Sequence, residues 1–214
     1  MVSLLPSTNR TFIFVLAAVI VVSIGIVAAA VTQGLNARTV AAALLTFSFV
    51  QFLICGTLFT GRAILMWTIA DATRFMRWER GSNIISVCAS ALGLVLLALF
   101  IGSAETAYLA VLGASAYLIG AVLIIVAETR FLSDGTWINP QVVIHMISEF
   151  AAQACVGATL IGTGLVPTWV GWAAIGWNIA CPVGLVLMRP KDFYFPVMHY
   201  VAPLIIGIAL FAAA

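Results

Sequence analysis

Apolar residues fall in runs of roughly 20, the length that crosses about 30 Å of hydrocarbon, and short stretches of turn formers separate them. Seven segments meet that length: 11–33, 40–60, 83–103, 106–127, 140–164, 169–188 and 194–213. The first is too long for the apolar part of a signal peptide and reads as a span. Gly34-Leu35-Asn36 closes it, and Asn139-Pro140 opens the fifth with proline in a tolerated first-turn position. Gly164 to Pro167 divides the fifth from the sixth, and Arg189-Pro190 ends the sixth. Connections this short make successive helices antiparallel neighbours. The pattern therefore predicts an all-α polytopic bundle, one integral membrane domain over residues 1–214. Pro196 and Pro203 fall within the last segment and predict a kink there.

The stretch 61–82 breaks the pattern, because Arg62, Asp71, Arg74, Arg77, Glu79 and Arg80 interrupt its apolar residues. Each charge at the bilayer centre costs about 2.5–3.5 kcal/mol on insertion scales, so a crossing here is expensive. Without one, Arg10, Arg62, Arg74, Arg77, Arg80, Arg130, Arg189 and Lys191 share one side and Arg38 stands alone on the other. Basic loops face the cytoplasm, so the N-terminus is expected inside and the C-terminus outside. The stretch 61–82 is then expected as an interfacial helix, with Trp67, Phe75 and Trp78 at headgroup level. Trp137, Trp169 and Trp172 read as belt residues near span ends.

Composition removes the soluble alternative. Hydrophobic residues make up 64% of the chain and charged residues 7%, too few charges to cover a water-exposed surface. A net charge of +2, with no basic stripe interleaved with aromatics, excludes nucleic acid as a partner and leaves membrane lipids. The expected location is the cytoplasmic (inner) membrane. Small residues such as Gly113, Ala114, Ser115 and Ala116 suit either packing within the chain or a seam in a homo-oligomer or larger membrane complex. The four cysteines, Cys55, Cys88, Cys155 and Cys181, occur singly with no CxxC, and read as packing residues.

Candidate chemistry lies in the polar residues left inside the spans. His145, Ser148, Glu149 and Gln153 share one stripe of the fifth segment, and that stripe must face the bundle interior or water. At about 1.5 Å per residue, His145 and His199 both lie roughly 8 Å in from the cytoplasmic side. Glu149, Asn178 and Gln51 come out at roughly 13–15 Å. An ionisable group at such depth is a functional-site candidate by default. The expected ligand-binding residues are therefore Glu149, His145, His199, Asn178, Gln51 and Gln153, lining a polar cavity open to the cytoplasm. Glu128, Arg130 and Asp134, at a span end, are expected to be solvated or ion-paired.

Several functions fit such a cavity. It can bind or transport a small or lipid-like ligand, with Glu149 carrying a proton or holding a cation. It can serve a membrane enzyme acting on a lipid or isoprenoid, with Glu149 and His145 as catalytic candidates in acid/base chemistry. His145, Glu149 and His199 also offer three metal ligands, and the two histidines at one depth offer two axial ligands to a haem. The cofactor and the metal, if any, stay unknown at this stage. An accessory subunit of a membrane complex is a further reading.

Two resemblances add to this. The run Gly162-Thr163-Gly164-Leu165-Val166-Pro167-Thr168-Trp169-Val170-Gly171-Trp172, followed by an apolar hairpin, is similar to the C-terminal hairpin of uncharacterised bacterial multi-pass membrane proteins. It implies a fold and no activity. Seven spans with an inside N-terminus also resemble the inverted heliorhodopsins, and Arg77-Trp78-Glu79 resembles their Arg-Trp-x-Glu, with the glutamate one position early. A retinal Schiff base requires a lysine in the seventh span. The sole lysine, Lys191, precedes it, so only a retinal-free rhodopsin-like protein fits.

Overall fold

The computed structural model describes residues 10–69, 71–102, 107–188 and 196–213, and the regular structure among them is helical. The helices are α1 (Arg10–Thr32), α2 (Ala37–Ala63), α3 (Ala72–Ile101), α4 (Ala107–Asp134), α5 (Asn139–Thr163), α6 (Thr168–Met188), α7 (Pro196–His199) and α8 (Val201–Ala212). The first six are each long and apolar enough to cross a membrane, which makes the chain an integral multi-pass membrane protein. The loop Arg189-Pro190-Lys191-Asp192 and the first two residues of the expected seventh span lie outside the described residues.

Local chemistry sets the helix ends. The Asn36 side chain accepts from the Thr39 amide at 3.0 Å, and the Thr39 hydroxyl accepts from the Asn36 amide at 3.1 Å, a reciprocal cap that starts α2. Asp71 caps α3 by accepting from the Arg74 amide at 3.0 Å. Gly164, at φ +64°, ends α5 in the left-handed conformation that glycine adopts without a Cβ clash. At the far end of α8 the Arg38 guanidinium donates to the Leu210 carbonyl at 3.2 Å, placing a cation on the negative pole of that helix.

Helix packing forms a ring. α2 packs on α3, α3 on α4, α4 on α5, α5 on α6, α6 on α8, and α8 returns to α2. α1 lies outside the ring against α2. Its Phe12, Val19 and Ile26, spaced by seven residues, turn inward with Ala30, while Phe14, Val21 and Ile24 are exposed as a lipid-facing surface.

Two elements differ from the sequence expectation. The stretch 61–82 is not a separate interfacial helix: α2 runs to Ala63, residues 64–69 are non-helical, and α3 begins at Ala72. Glu79 and Arg80 fold into the bundle because they are paired across helices with Arg62 and Glu128, whereas Arg74 pairs with Asp71 within one turn and Arg77 is exposed. The aromatics of the stretch also turn inward, with Phe75 buried and Trp78 edge-on to Phe12 at 6.0 Å between ring centroids. The last segment is the second difference, since among the described residues it is not one continuous helix but α7 and α8 joined at Tyr200. Its twelve-residue apolar part, Val201–Ala212, rises about 18 Å, short of a full crossing. The expected kink has become a break, and the cause is Pro203: its ring lacks the N–H that would bond the His199 carbonyl.

Candidate functional site

The stripe expected on α5 points into the ring. His145, Glu149 and Gln153 are all buried, followed one and two turns later by Val156 and Leu160. α4 approaches this stripe closely because its contact positions are glycines. A Cβ on Gly113 would stand 2.6 Å from the Ala152 carbonyl oxygen, and one on Gly120 would stand 3.2 Å from that of His145. Gly113 and Ala114 thus pack within the chain, whereas Ser115 is exposed. The bare Gly120 backbone also presents its carbonyl oxygen 3.0 Å from His145 Nδ1.

The third member arrives through the broken helix. Pro203 leaves the His199 carbonyl without its helical donor, and Gln153 Nε2 donates to it instead at 2.8 Å. One residue earlier, Trp177 Nε1 donates to the Met198 carbonyl at 2.5 Å. α5 and α6 therefore clamp α7, and the His199 ring is delivered to Glu149.

The result is a compact cluster. His145 Nδ1 lies 3.2 Å from Glu149 Oε1, and His199 Nε2 lies 2.9 Å from Glu149 Oε2. The two imidazoles meet edge to face with centroids 5.5 Å apart. Tyr117, from α4, faces Glu149 and Ser90. Glu149, Gln153, His199 and Tyr117 are each 0% exposed, so no surface that water can reach remains on them. The Tyr117 hydroxyl is the polar group that stands within reach of the carboxylate. Despite the short distances, neither Glu149 oxygen has an aligned hydrogen bond to an imidazole and neither His199 ring nitrogen has one among the described residues. Buried polar atoms in native proteins are seldom left so.

Not every expected residue joins this cluster. Asn178 Nδ2 turns back to its own helix, donating to the Ala174 carbonyl at 2.7 Å, and Gln51 is half-buried on α2. Among the described residues no hydrogen bond ties either one to Glu149. The two-histidine haem arrangement does not fit, because the Glu149 carboxylate bridges the imidazoles and leaves no slot for a porphyrin plane between them.

A second polar centre went unread in the sequence. Arg80 Nη1 pairs with Glu128 Oε2 at 3.2 Å, Asn83 Nδ2 donates to Glu128 Oε1 at 2.9 Å, and Arg62 pairs with Glu79 at 3.1 Å. Arg80 also lies over the rings of Phe131 and Trp137, so Trp137 is a packing partner more than a belt residue; Trp169 and Trp172 are exposed as expected. The Tyr200 hydroxyl donates to Asn83 Oδ1 at 3.2 Å while its ring packs on His199, centroids 4.1 Å apart. Glu128 is therefore buried and ion-paired. The available signal was opposite charge at helix ends that antiparallel topology brings together.

Three grooves of about 310–350 Å³ lie elsewhere, lined almost wholly by apolar side chains and by none of the cluster residues. Comparison with family models, with curated proteins and with solved structures finds no match to this chain. The site is read from its own chemistry.

Proposed function

We propose that this integral membrane protein binds a small cation within the membrane, with the Glu149 carboxylate as counter-charge and His145 and His199 as neutral partners. One observation carries the reading: a fully buried carboxylate has both oxygens within 3.2 Å of imidazole nitrogens, yet no aligned hydrogen bond to either. Intramembrane carboxylates face the bundle interior and mark ion or proton sites. Closure of the cluster against water favours an ion over a lipid-like molecule, which would need the helices to part. The starts of α1, α3 and α5 and the ends of α2 and α4 share one end of the bundle. That end carries Arg10, Arg62, Arg74, Arg77, Arg80 and Arg130, against Arg38 at the other. The bias supports a cytoplasmic membrane with that end toward the cytoplasm.

The test is thermal unfolding of the detergent-purified chain against a panel of Na⁺, K⁺, Ca²⁺ and Zn²⁺. A bound ion at a hundred times its Kd should stabilise the wild type by about 2.7 kcal/mol. Glu149→Gln should fold in comparable yield and lose that response. If Glu149→Gln merely lowers stability and no ion distinguishes the two proteins, the reading is wrong.

A further inference from the structure

The donor set narrows the cation. Resting on the cation-binding reading above, we infer that the ion is a divalent transition metal of the zinc class, held by one imidazole nitrogen each from His145 and His199 and by the Glu149 carboxylate.

Donor chemistry comes first. Calcium takes six to eight oxygen ligands and magnesium keeps a shell of waters, whereas imidazole suits zinc, copper, iron and nickel. Here two of the three converging groups are imidazoles, and a closed site has no room for a hydrated ion. Thiolate, which would draw the softer Cu(I), is absent from the cluster.

Geometry agrees. One donor atom from each residue can be chosen with all separations within 4.8 Å, and the His199–Glu149 pair stands at 2.9 Å. With metal–ligand bonds of about 2.0–2.1 Å, tetrahedral donors lie about 3.3–3.4 Å apart, inside the 4.8 Å limit that the three donors already meet. Alignment separates this from ordinary packing. A histidine–glutamate–histidine packing motif would aim its N–H groups along the carboxylate oxygens; here the atoms converge without aligning. A single central ion can take one nitrogen from each imidazole together with the carboxylate, which a proton cannot, and it leaves His199 Nδ1 outside its shell.

Behind the donors, His145 has the acceptor that a ligating imidazole needs, whereas His199 Nδ1 has no hydrogen-bond partner among the described residues. His145 Nδ1 lies 3.0 Å from the Gly120 carbonyl and 3.2 Å from Glu149 Oε1. An Nδ1–H donated to Gly120 leaves Nε2 as the ligating nitrogen, which the ring must turn toward the carboxylate. Gln153 fixes the backbone that carries His199. Two neutral imidazoles and one carboxylate would leave a divalent ion with charge +1 in hydrocarbon. The buried Tyr117 hydroxyl facing Glu149 is the oxygen at hand for the fourth position.

The experiment strips the full chain with a chelator in detergent and titrates it with Co²⁺, whose visible d–d absorption reports tetrahedral coordination. Expected is an intense band that saturates at one ion per chain and is displaced by Zn²⁺. Glu149→Gln and His199→Ala should abolish it, and Tyr117→Phe should weaken Co²⁺ binding about 10–100-fold. Should a histidine variant fail to fold, X-ray absorption of the Zn²⁺-loaded wild type decides, with two imidazoles at about 2.0 Å expected. Co²⁺ binding that survives both substitutions, or a zinc shell without imidazole, overturns the assignment. If Na⁺, K⁺ or Ca²⁺ still stabilises the wild type through Glu149, only the metal class falls. If no ion does, the cation reading falls with it.

Discussion

Glu128 and Glu149 are equally hidden, at 1% and 0% exposure, and yet they are treated differently. Glu128 lies six residues from the end of α4, about 9 Å deep, and is held by the Arg80 guanidinium and the Asn83 amide. Glu149 lies ten residues into α5, about 15 Å deep, and among the described residues its polar neighbours are two imidazoles and a phenol. A carboxylate with a fixed cation is a clasp between helices. One without a fixed cation keeps its charge free to meet a mobile one. Burial alone does not separate the two roles; the partners do.

The comparison is most forcefully tested on the clasp. Glu128→Gln keeps the shape but leaves Arg80 facing a neutral amide in a buried setting. Removing one member of a buried pair typically costs about 3–5 kcal/mol. The lower end is expected, because Glu79 Oε1 remains 3.7 Å from Arg80. Denaturant unfolding in detergent should show that loss, with the cation response per folded molecule unchanged. A stability near wild type would mean that the clasp holds nothing together.

Next in size is the approach of α4 to α5. A Cβ at position 120 would stand 3.2 Å from the His145 carbonyl oxygen and 3.1 Å from the Ser148 Cβ, so Gly120→Val pushes a branched side chain into both. Overpacking of this kind costs about 1–3 kcal/mol. Because the same backbone carries the acceptor for His145, Gly120→Val should also weaken the cation response. Loss of stability with an intact response would detach Gly120 from the site.

What the sequence made legible follows the same division. Depth could be read from helix rise, so His145 and His199 were matched at one level and Glu149 set at the next before any packing was known, and Pro196 and Pro203 announced a kink where the chain breaks and delivers His199. Rotation of one helix about its axis relative to another could not be read. Gln51 and Asn178 share the depth of Glu149, but they turn elsewhere. The Arg80–Glu128 clasp joins positions 48 residues apart, and charges near span ends look solvated until the partner is known. For the same reason 61–82 read as a surface helix. Tyr117 and Tyr200 gave no sign at all, since a tyrosine in an apolar run looks like any other large ring.

Tyr200→Phe tests whether the two centres communicate. Its hydroxyl bonds Asn83, which holds Glu128, and its ring packs on His199. One neutral hydrogen bond is worth about 1 kcal/mol, so the loss should be no larger. A cation affinity unchanged within error would show that the clasp and the cluster are independent; a several-fold change would show that the clasp sets the position of His199.

The smallest expected effect on stability is at the residue that matters most to function. Glu149→Gln removes a carboxylate whose oxygens lack aligned partners, and an amide of the same shape gives up no fixed ion pair. It also relieves the bundle of a charge that hydrocarbon disfavours. Stability in cation-free buffer should therefore change by less than about 1 kcal/mol, in either direction, against about 3 for the same substitution at Glu128. With cation at a hundred times its Kd the gap closes, because the wild type and Glu128→Gln are each stabilised by about 2.7 kcal/mol on binding and Glu149→Gln is not. Unfolding curves of the wild type and both glutamine variants, each with and without Zn²⁺, give the six values needed. Equal losses at the two sites in cation-free buffer would make Glu149 a second clasp and remove the ground for a bound ion.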